Sequence, residues 1–138
     1  MKEGKDCIGV FVTAICHDGK GKFLMGKRNE NARDCNGLWD FGGGTLEYGE
    51  SIEIALIREM KEEFGANLSN IKKVDVRESV EENKHWLGIY HVALIDKVEE
   101  VYIAEDVYSE IGWFTLDTMP KELIGDDAEH VERYLRYI

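Results

Sequence analysis

No run of this sequence approaches the ~20 consecutive apolar residues that a membrane-spanning helix needs. The apolar run nearest the N-terminus, CIGVFVTAIC (Cys7 to Cys16), follows Lys2 and Lys5 and so superficially resembles a secretion signal. Its flank also carries Glu3 and Asp6, and the turn-forming HDGKGK follows instead of a small-residue cleavage site. A buried, β-branched strand is the better reading. Basic residues are also scarce: 17 Lys and Arg stand against 28 Asp and Glu, for a net charge of −11 and a pI near 4.8. This argues against binding a nucleic-acid polymer or an anionic membrane through bulk charge. A small anionic substrate is still possible if a local cation receives it. Cysteines number three (Cys7, Cys16, Cys35), with no C-x-x-C pair and no Cys/His cluster, which suits a reducing cytoplasm and not a disulfide framework.

What is present fits one domain over residues 1–138, with hydrophobic content of 43% and charged content of 33%. Strands are expected over residues 7–16 and 22–28, around the Asp-Gly turn of HDGKGK. A short strand follows at Leu38 to Phe41 and ends at three glycines, Gly42 to Gly44. A helix is expected from Ser51, as N-cap, to Phe64, with Gly65 stopping it. Strands then fall at Ile71 to Val80, His85 to Ile95 and Ile111 to Leu116. The second of these has almost no charge and should be central. The acidic stretch Glu99 to Glu110 reads as loop with a turn of helix. The last helix is expected over Ala128 to Ile138, with Val131, Tyr134, Leu135 and Ile138 on one face. Irregular mixing of hairpins and helices implies an α/β protein with a mixed β-sheet between helices.

REMKEEFG (Arg58 to Gly65) is the unusual stretch. Glu59, Glu62 and Glu63 lie three and four residues apart, so they share a helix face and repel by a few tenths of a kcal/mol per pair. On a helical wheel they flank an apolar arc of Ile52, Leu56, Ile57, Met60 and Phe64. Three readings are open for such a cluster: a site for a hard divalent cation, a general base with a raised pKa, or a solvated acidic face.

The context narrows them. Gly44, five residues, Glu50, seven residues, then Arg58-Glu59-Met60-Lys61-Glu62-Glu63-Phe64-Gly65-Ala66 resembles the Nudix box, G-x5-E-x7-R-E-U-x-E-E-x-G-U, in which U is a bulky aliphatic residue. All seven fixed positions match; Ala66 is small for the last U. Chance agreement is on the order of 10⁻⁹ per start position at ordinary residue frequencies. The resemblance implies the Nudix fold (α/β/α) and Mg²⁺- or Mn²⁺-dependent hydrolysis of a nucleoside diphosphate linked to another group. It implies Glu59, Glu62 and Glu63 as metal carboxylates, the Gly43 carbonyl as a further ligand, and Glu50 with Arg58 as the supporting catalytic pair. Many family members have proline where this chain has Gly42, so a looser loop is expected here.

Outlying positions bear on the substrate. Val80 stands where ADP-ribose hydrolases often carry proline, and the chain's one proline is Pro120. Glu82 and Asn83 stand near where dinucleoside polyphosphate hydrolases often carry tyrosine. These differences favour a (deoxy)nucleoside triphosphate, as in MutT-like members. The alternatives are ADP-ribose or a nucleotide sugar, or a non-catalytic module that senses a nucleotide. Candidate substrate-binding residues are Arg28, Trp39, His85 and Asp126; Trp86 and Tyr90 are further candidates for stacking on a base. Core packing is the commoner role for each of these aromatics, and Asp126 with Asp127 could equally cap the last helix. Glu105, or else Glu110, is a candidate for an additional metal carboxylate. The family resemblance also suggests a homodimer.

Overall fold

Along β1 (Gly9–His17), Val12, Ala14 and Cys16 alternate with Thr13 and Ile15, and both sets are buried. Only a strand covered on both faces has that pattern. The computed structural model describes residues 1–32, 35–103, 107–123 and 128–138. Within them, β1 pairs in parallel with β6 (Lys84–Asp96) and antiparallel with β2 (Phe23–Arg28). A tight turn joins β1 to β2: the Asp18 carboxylate accepts from the N–H groups of Lys20 (2.7 Å) and Lys22 (3.1 Å). β5 (Asn67–Glu81) pairs antiparallel with β6 through a turn at Glu82 and Asn83. On the other side, β2 pairs with β3 (Trp39–Asp40) and β7 (Tyr108–Phe114), and β4 (Gly44–Thr45) pairs with β1. The main order is β3-β2-β1-β6-β5. The nearly uncharged β6 is indeed internal.

α1 (Ile52–Phe64) covers one face of this mixed sheet. Ala55, Leu56, Met60 and Phe64 pack there with Val12, Ala14, Cys16, Leu24 and Ile89. Burial of side chains such as Leu56, Met60 and Phe64 contributes roughly 1.5–3 kcal/mol each. α2 (Ala128–Leu135) covers the other face, where Val131 and Tyr134 meet Ile15, Phe23, Met25 and Val92. The expected α/β/α layering is therefore observed. Among the described residues no helix is long and apolar enough to cross a membrane.

Boundaries differ from expectation where tertiary contacts decide them. Ser51 caps α1 as expected, accepting from Ile54 N–H at 3.2 Å, and Gly65 ends it in the left-handed region at φ 64°. The buried arc is shifted, however: Ala55 is fully buried and Ile57 is 38% exposed. α2 stops at Leu135, short of Ile138, which is exposed. β5 extends to Asn67, because its pairing with β6 continues past two register irregularities. β7 starts at Tyr108, three residues before the expected strand, because it follows β2 to Arg28. Of the acidic stretch, Val98–Glu100 forms the expected single turn of helix.

Candidate active site

The acidic side of α1 is organised by one guanidinium. Arg58 Nε donates to Glu50 Oε2 at 2.7 Å and Nη2 donates to Glu50 Oε1 at 2.9 Å. Its Nη1 donates to Glu59 Oε1 at 2.8 Å and more weakly to Glu62 Oε2 at 3.4 Å. A planar fork of donors can serve two carboxylates at once, and a lysine cannot. These bonds hold the Glu50 carboxyl below the usual carboxylate range, with Arg58 as the main cause. The same partners, Glu50 first, raise the pKa of Arg58 still further.

Glu63 has a different partner. Its Oε2 accepts from the N–H of Gly43 at 2.9 Å, which ties the C-terminal end of α1 to the glycine turn. Burial pushes the Glu63 carboxyl well above the usual range, and the charges of Asp40 and Glu59 push the same way. Burial also raises Glu59, with Glu62 and Glu47 adding to the effect. The carboxylates thus stand partly desolvated and mutually repelling, as their spacing implies.

The turn itself demands glycine. Gly42 and Gly43 have φ of 82° and 125°, values that side chains disfavour. A Cβ on Gly43 would strike the Val12 carbonyl, and one on Gly44 would strike the Glu59 carboxylate. At Gly42, where a looser loop is expected, the main chain makes two hydrogen bonds. Its N–H donates to Asp40 Oδ1 at 3.0 Å, and its carbonyl accepts from Thr13 Oγ1 at 2.6 Å. Proline has neither that φ nor that N–H, so this turn is held by hydrogen bonds in place of a rigid ring.

Asp40 anchors a second, partly buried group of polar side chains. It accepts from the Tyr108 hydroxyl at 2.6 Å and from Arg28 Nη1 at 3.2 Å. Tyr108 in turn stacks on Phe64, with ring centroids 5.1 Å apart. On the open side of the glycine turn lies a cleft of about 700 Å³, whose walls include Arg28, Asp40, Tyr108, Phe11, Trp86 and Tyr90. Arg77 also lines it, with its guanidinium 3.9 Å from the Tyr90 ring centre.

The residues singled out from sequence fall into three groups. Arg58, Glu50, Glu59 and Glu62 come together directly, and Glu63 and Gly43 bond to each other beside them. Arg28 lines the cleft, as do Trp86 and Tyr90. Trp39 instead packs edge-on against Phe114 at 5.2 Å, and His85 Nε2 pairs with Glu78 at 2.9 Å; neither lines the cleft. Glu110 is exposed on β7, opposite Lys27. Glu105 and Asp126 lie outside the described residues.

Sequence reasoning missed Asp40, Thr13 and Tyr108. Asp40 carried a signal, a lone charge inside the apolar LWDF next to three glycines. Thr13 and Tyr108 carried none, because each reads as an ordinary strand residue.

The donor set suits a hard dication in kind: oxygen ligands, excess negative charge, and carboxyls that burial drives toward the neutral form. Among the described residues no three acidic, histidine or cysteine side chains are gathered around one point. Glu59 and Glu62 face Arg58, and Glu63 faces Gly43.

Comparison with known proteins gives the family. The NUDIX domain family model matches residues 9–135. The chain is 30% identical to an ADP-ribose pyrophosphatase of Methanocaldococcus jannaschii, over 90% of this chain and 74% of that protein. It is 25% identical to the NAD-capped RNA hydrolase NudC of Mycobacterium tuberculosis, over 84% of this chain but 36% of that longer protein. Among solved structures, a MutT NUDIX hydrolase from Burkholderia pseudomallei superposes with a TM-score of 0.80 at 26% identity, covering 93% of this chain and 98% of the other. This chain belongs to the Nudix family of hydrolases.

Proposed function

We propose that this hydrolase cleaves the diphosphate linkage of a nucleoside diphosphate derivative, with a (deoxy)nucleoside triphosphate as the first substrate class. Water adds to phosphorus, one P–O bond breaks, and nucleoside monophosphate and pyrophosphate leave. The observation that carries this reading is the Arg58-centred carboxylate cluster, joined through Glu63 to a glycine turn that lines a cleft.

Glu59, Glu62 and Glu63, with the Gly43 carbonyl, would hold Mg²⁺ or Mn²⁺. Such an ion would neutralise charge on the diphosphate and activate water. Arg58 keeps Glu50 and Glu59 in fixed orientations and damps repulsion within the cluster. Arg28, held by Asp40 at the cleft wall, places a cation where an anionic substrate enters. Trp86 and Phe11 supply apolar surface on which a base can stack. In a protein of net charge −11, these local cations matter more than the overall field.

A second reading, cleavage of ADP-ribose, is favoured by the similarity to the Methanocaldococcus jannaschii protein. Val80 in place of the marker proline speaks against it. A release assay separates the two. Purified protein in Mg²⁺ or Mn²⁺ is offered nucleoside triphosphates, oxidised triphosphates, ADP-ribose, nucleotide sugars and dinucleoside polyphosphates. Pyrophosphate release from a triphosphate supports the first reading, and AMP with ribose 5-phosphate supports the second. No hydrolysis of any of these compounds overturns the enzymatic reading.

A further inference from the structure

The glycine turn is gripped from below as well as from α1. Thr13, buried on the central strand β1, donates its hydroxyl to the Gly42 carbonyl at 2.6 Å. The main-chain carbonyl of Thr13 is itself bonded to His91 Nδ1 on β6 at 3.1 Å, so the threonine is fixed to two strands. Asp40 accepts the Gly42 N–H at 3.0 Å and is steadied in turn by Tyr108 and Arg28. Both polar main-chain groups of Gly42 are therefore committed. The next N–H along the chain, on Gly43, is the donor that orients Glu63.

We propose that Thr13 and Asp40 are positioning residues for Glu63: by holding Gly42 at its carbonyl and its N–H, they fix the turn whose Gly43 N–H aims the Glu63 carboxylate. The inference rests on the proposed hydrolytic role of Glu63 for its kinetic consequence, but not for its structural content. Gly42 alone could not hold this geometry, since glycine leaves the most backbone freedom. Its φ of 82° is outside the range of proline, so a stiff residue cannot substitute. Side-chain clamps are what remain. A Cβ at Gly42 would also press on Phe64 and on Glu63 Oε2, so the turn and the carboxylate are in direct contact as well as hydrogen-bonded.

The test compares isosteric and conservative changes. Thr13→Val removes the hydroxyl and keeps the shape; Thr13→Ser restores the hydroxyl. Asp40→Ala removes the acceptor; Asp40→Asn keeps an oxygen for the Gly42 N–H. Exchange of the Gly42 and Gly43 amides is followed by NMR, and kcat and KM are measured with whichever compound of the release assay the parent cleaves fastest. Exchange at Gly43 should quicken about tenfold or more in Thr13→Val and Asp40→Ala as the local hold weakens. Turnover should fall roughly 10- to 100-fold in both, with KM little changed in Thr13→Val, as misplacement of a reacting group predicts, and KM raised as well in Asp40→Ala, which also releases Arg28. Thr13→Ser should recover most of both, and Asp40→Asn should recover the Gly43 exchange, since it keeps an oxygen for the Gly42 N–H but loses the ion pair with Arg28.

Unchanged Gly43 exchange in folded Thr13→Val and Asp40→Ala overturns the proposal, as does equally quickened exchange in the conservative pair. If Asp40→Ala fails to fold, Thr13→Val against Thr13→Ser decides. If the parent cleaves none of the compounds, the proposed function fails, and the exchange measurements still decide whether Thr13 and Asp40 hold the turn.

Discussion

Arg58 holds Glu50 by two near-parallel hydrogen bonds, Nε to Oε2 at 2.7 Å and Nη2 to Oε1 at 2.9 Å, and uses its remaining face for Glu59 at 2.8 Å. The side chains are eight residues and one residue apart in sequence, yet one planar group satisfies both. Replacement by lysine keeps the charge and loses the fork. Arg58→Lys should therefore lower kcat about 10- to 100-fold, the range expected when orientation within a reacting cluster is lost. Steady-state kinetics with circular dichroism as a fold control checks this, and an unchanged kcat removes the orienting role.

Glu62→Gln and Glu63→Gln should each reduce turnover at least ~100-fold while the fold persists, if these carboxylates hold the ion that carries the electrostatic part of catalysis. The two variants should differ in stability. Glu62 is exposed, so its change should leave the melting temperature near that of the parent. Glu63 is partly buried and burdened by neighbouring charge, so neutralising it should raise the melting temperature of the metal-free protein. A Glu63→Gln variant that melts lower than the parent under metal-free conditions contradicts this.

Gly43→Ala tests the turn by strain. Its φ of 125° and the nearby Val12 carbonyl leave no room for a methyl group. Destabilisation of about 2 kcal/mol or more is expected from forcing a side chain into that backbone region. Denaturant unfolding measures it, and a change below about 0.5 kcal/mol, the ordinary surface range, shows that the turn can relax.

His91 is 3% exposed, and burial holds its pKa below the ordinary histidine value, the bond with the Thr13 carbonyl and nearby groups notwithstanding. The folded state therefore prefers the neutral ring. Its contribution to stability is complete above the unfolded pKa of about 6.5 and is lost as pH falls through that value toward the folded pKa, because the unfolded chain gains the proton first. The difference in melting temperature between the parent and His91→Gln should narrow as pH drops from about 7 to about 5. A constant or widening difference shows that His91 is not the group responsible.

Trp86 forms part of the cleft wall and meets Phe11, with ring centroids 6.3 Å apart. Trp86→Ala should raise KM about tenfold and leave kcat within about threefold, the signature of binding lost equally from ground and transition states. Unchanged KM and kcat would place Trp86 outside the substrate contact.

Much of the architecture is legible locally. The caps of α1, Ser51 and Gly65, are marked by residue type, and the turn before β2 by Asp18, Gly19 and Gly21. The internal place of β6 follows from its lack of charge. The cluster of α1 follows from helical periodicity, which brings residues three and four apart together whatever the rest of the chain does. Ile57 was misplaced because the edge of an apolar arc depends on where the sheet lies under the helix. The hydrogen bond that Gly42 receives from Thr13 is not legible for a similar reason, since Thr13 is 29 residues away.

The sequence by itself determined the acidic helix, its spacing from Gly44 and Glu50, the mixed α/β class and the family these imply. All of them depend on short-range geometry and on residue order. Only the tertiary structure decided that Asp40 meets Tyr108, 68 positions distant, that Thr13 bonds to the glycine turn, and that Trp86 lines the cleft while Trp39 packs on Phe114. Those contacts depend on strand register and on which face of the sheet each side chain takes. A shift of one residue would reverse every one of those faces.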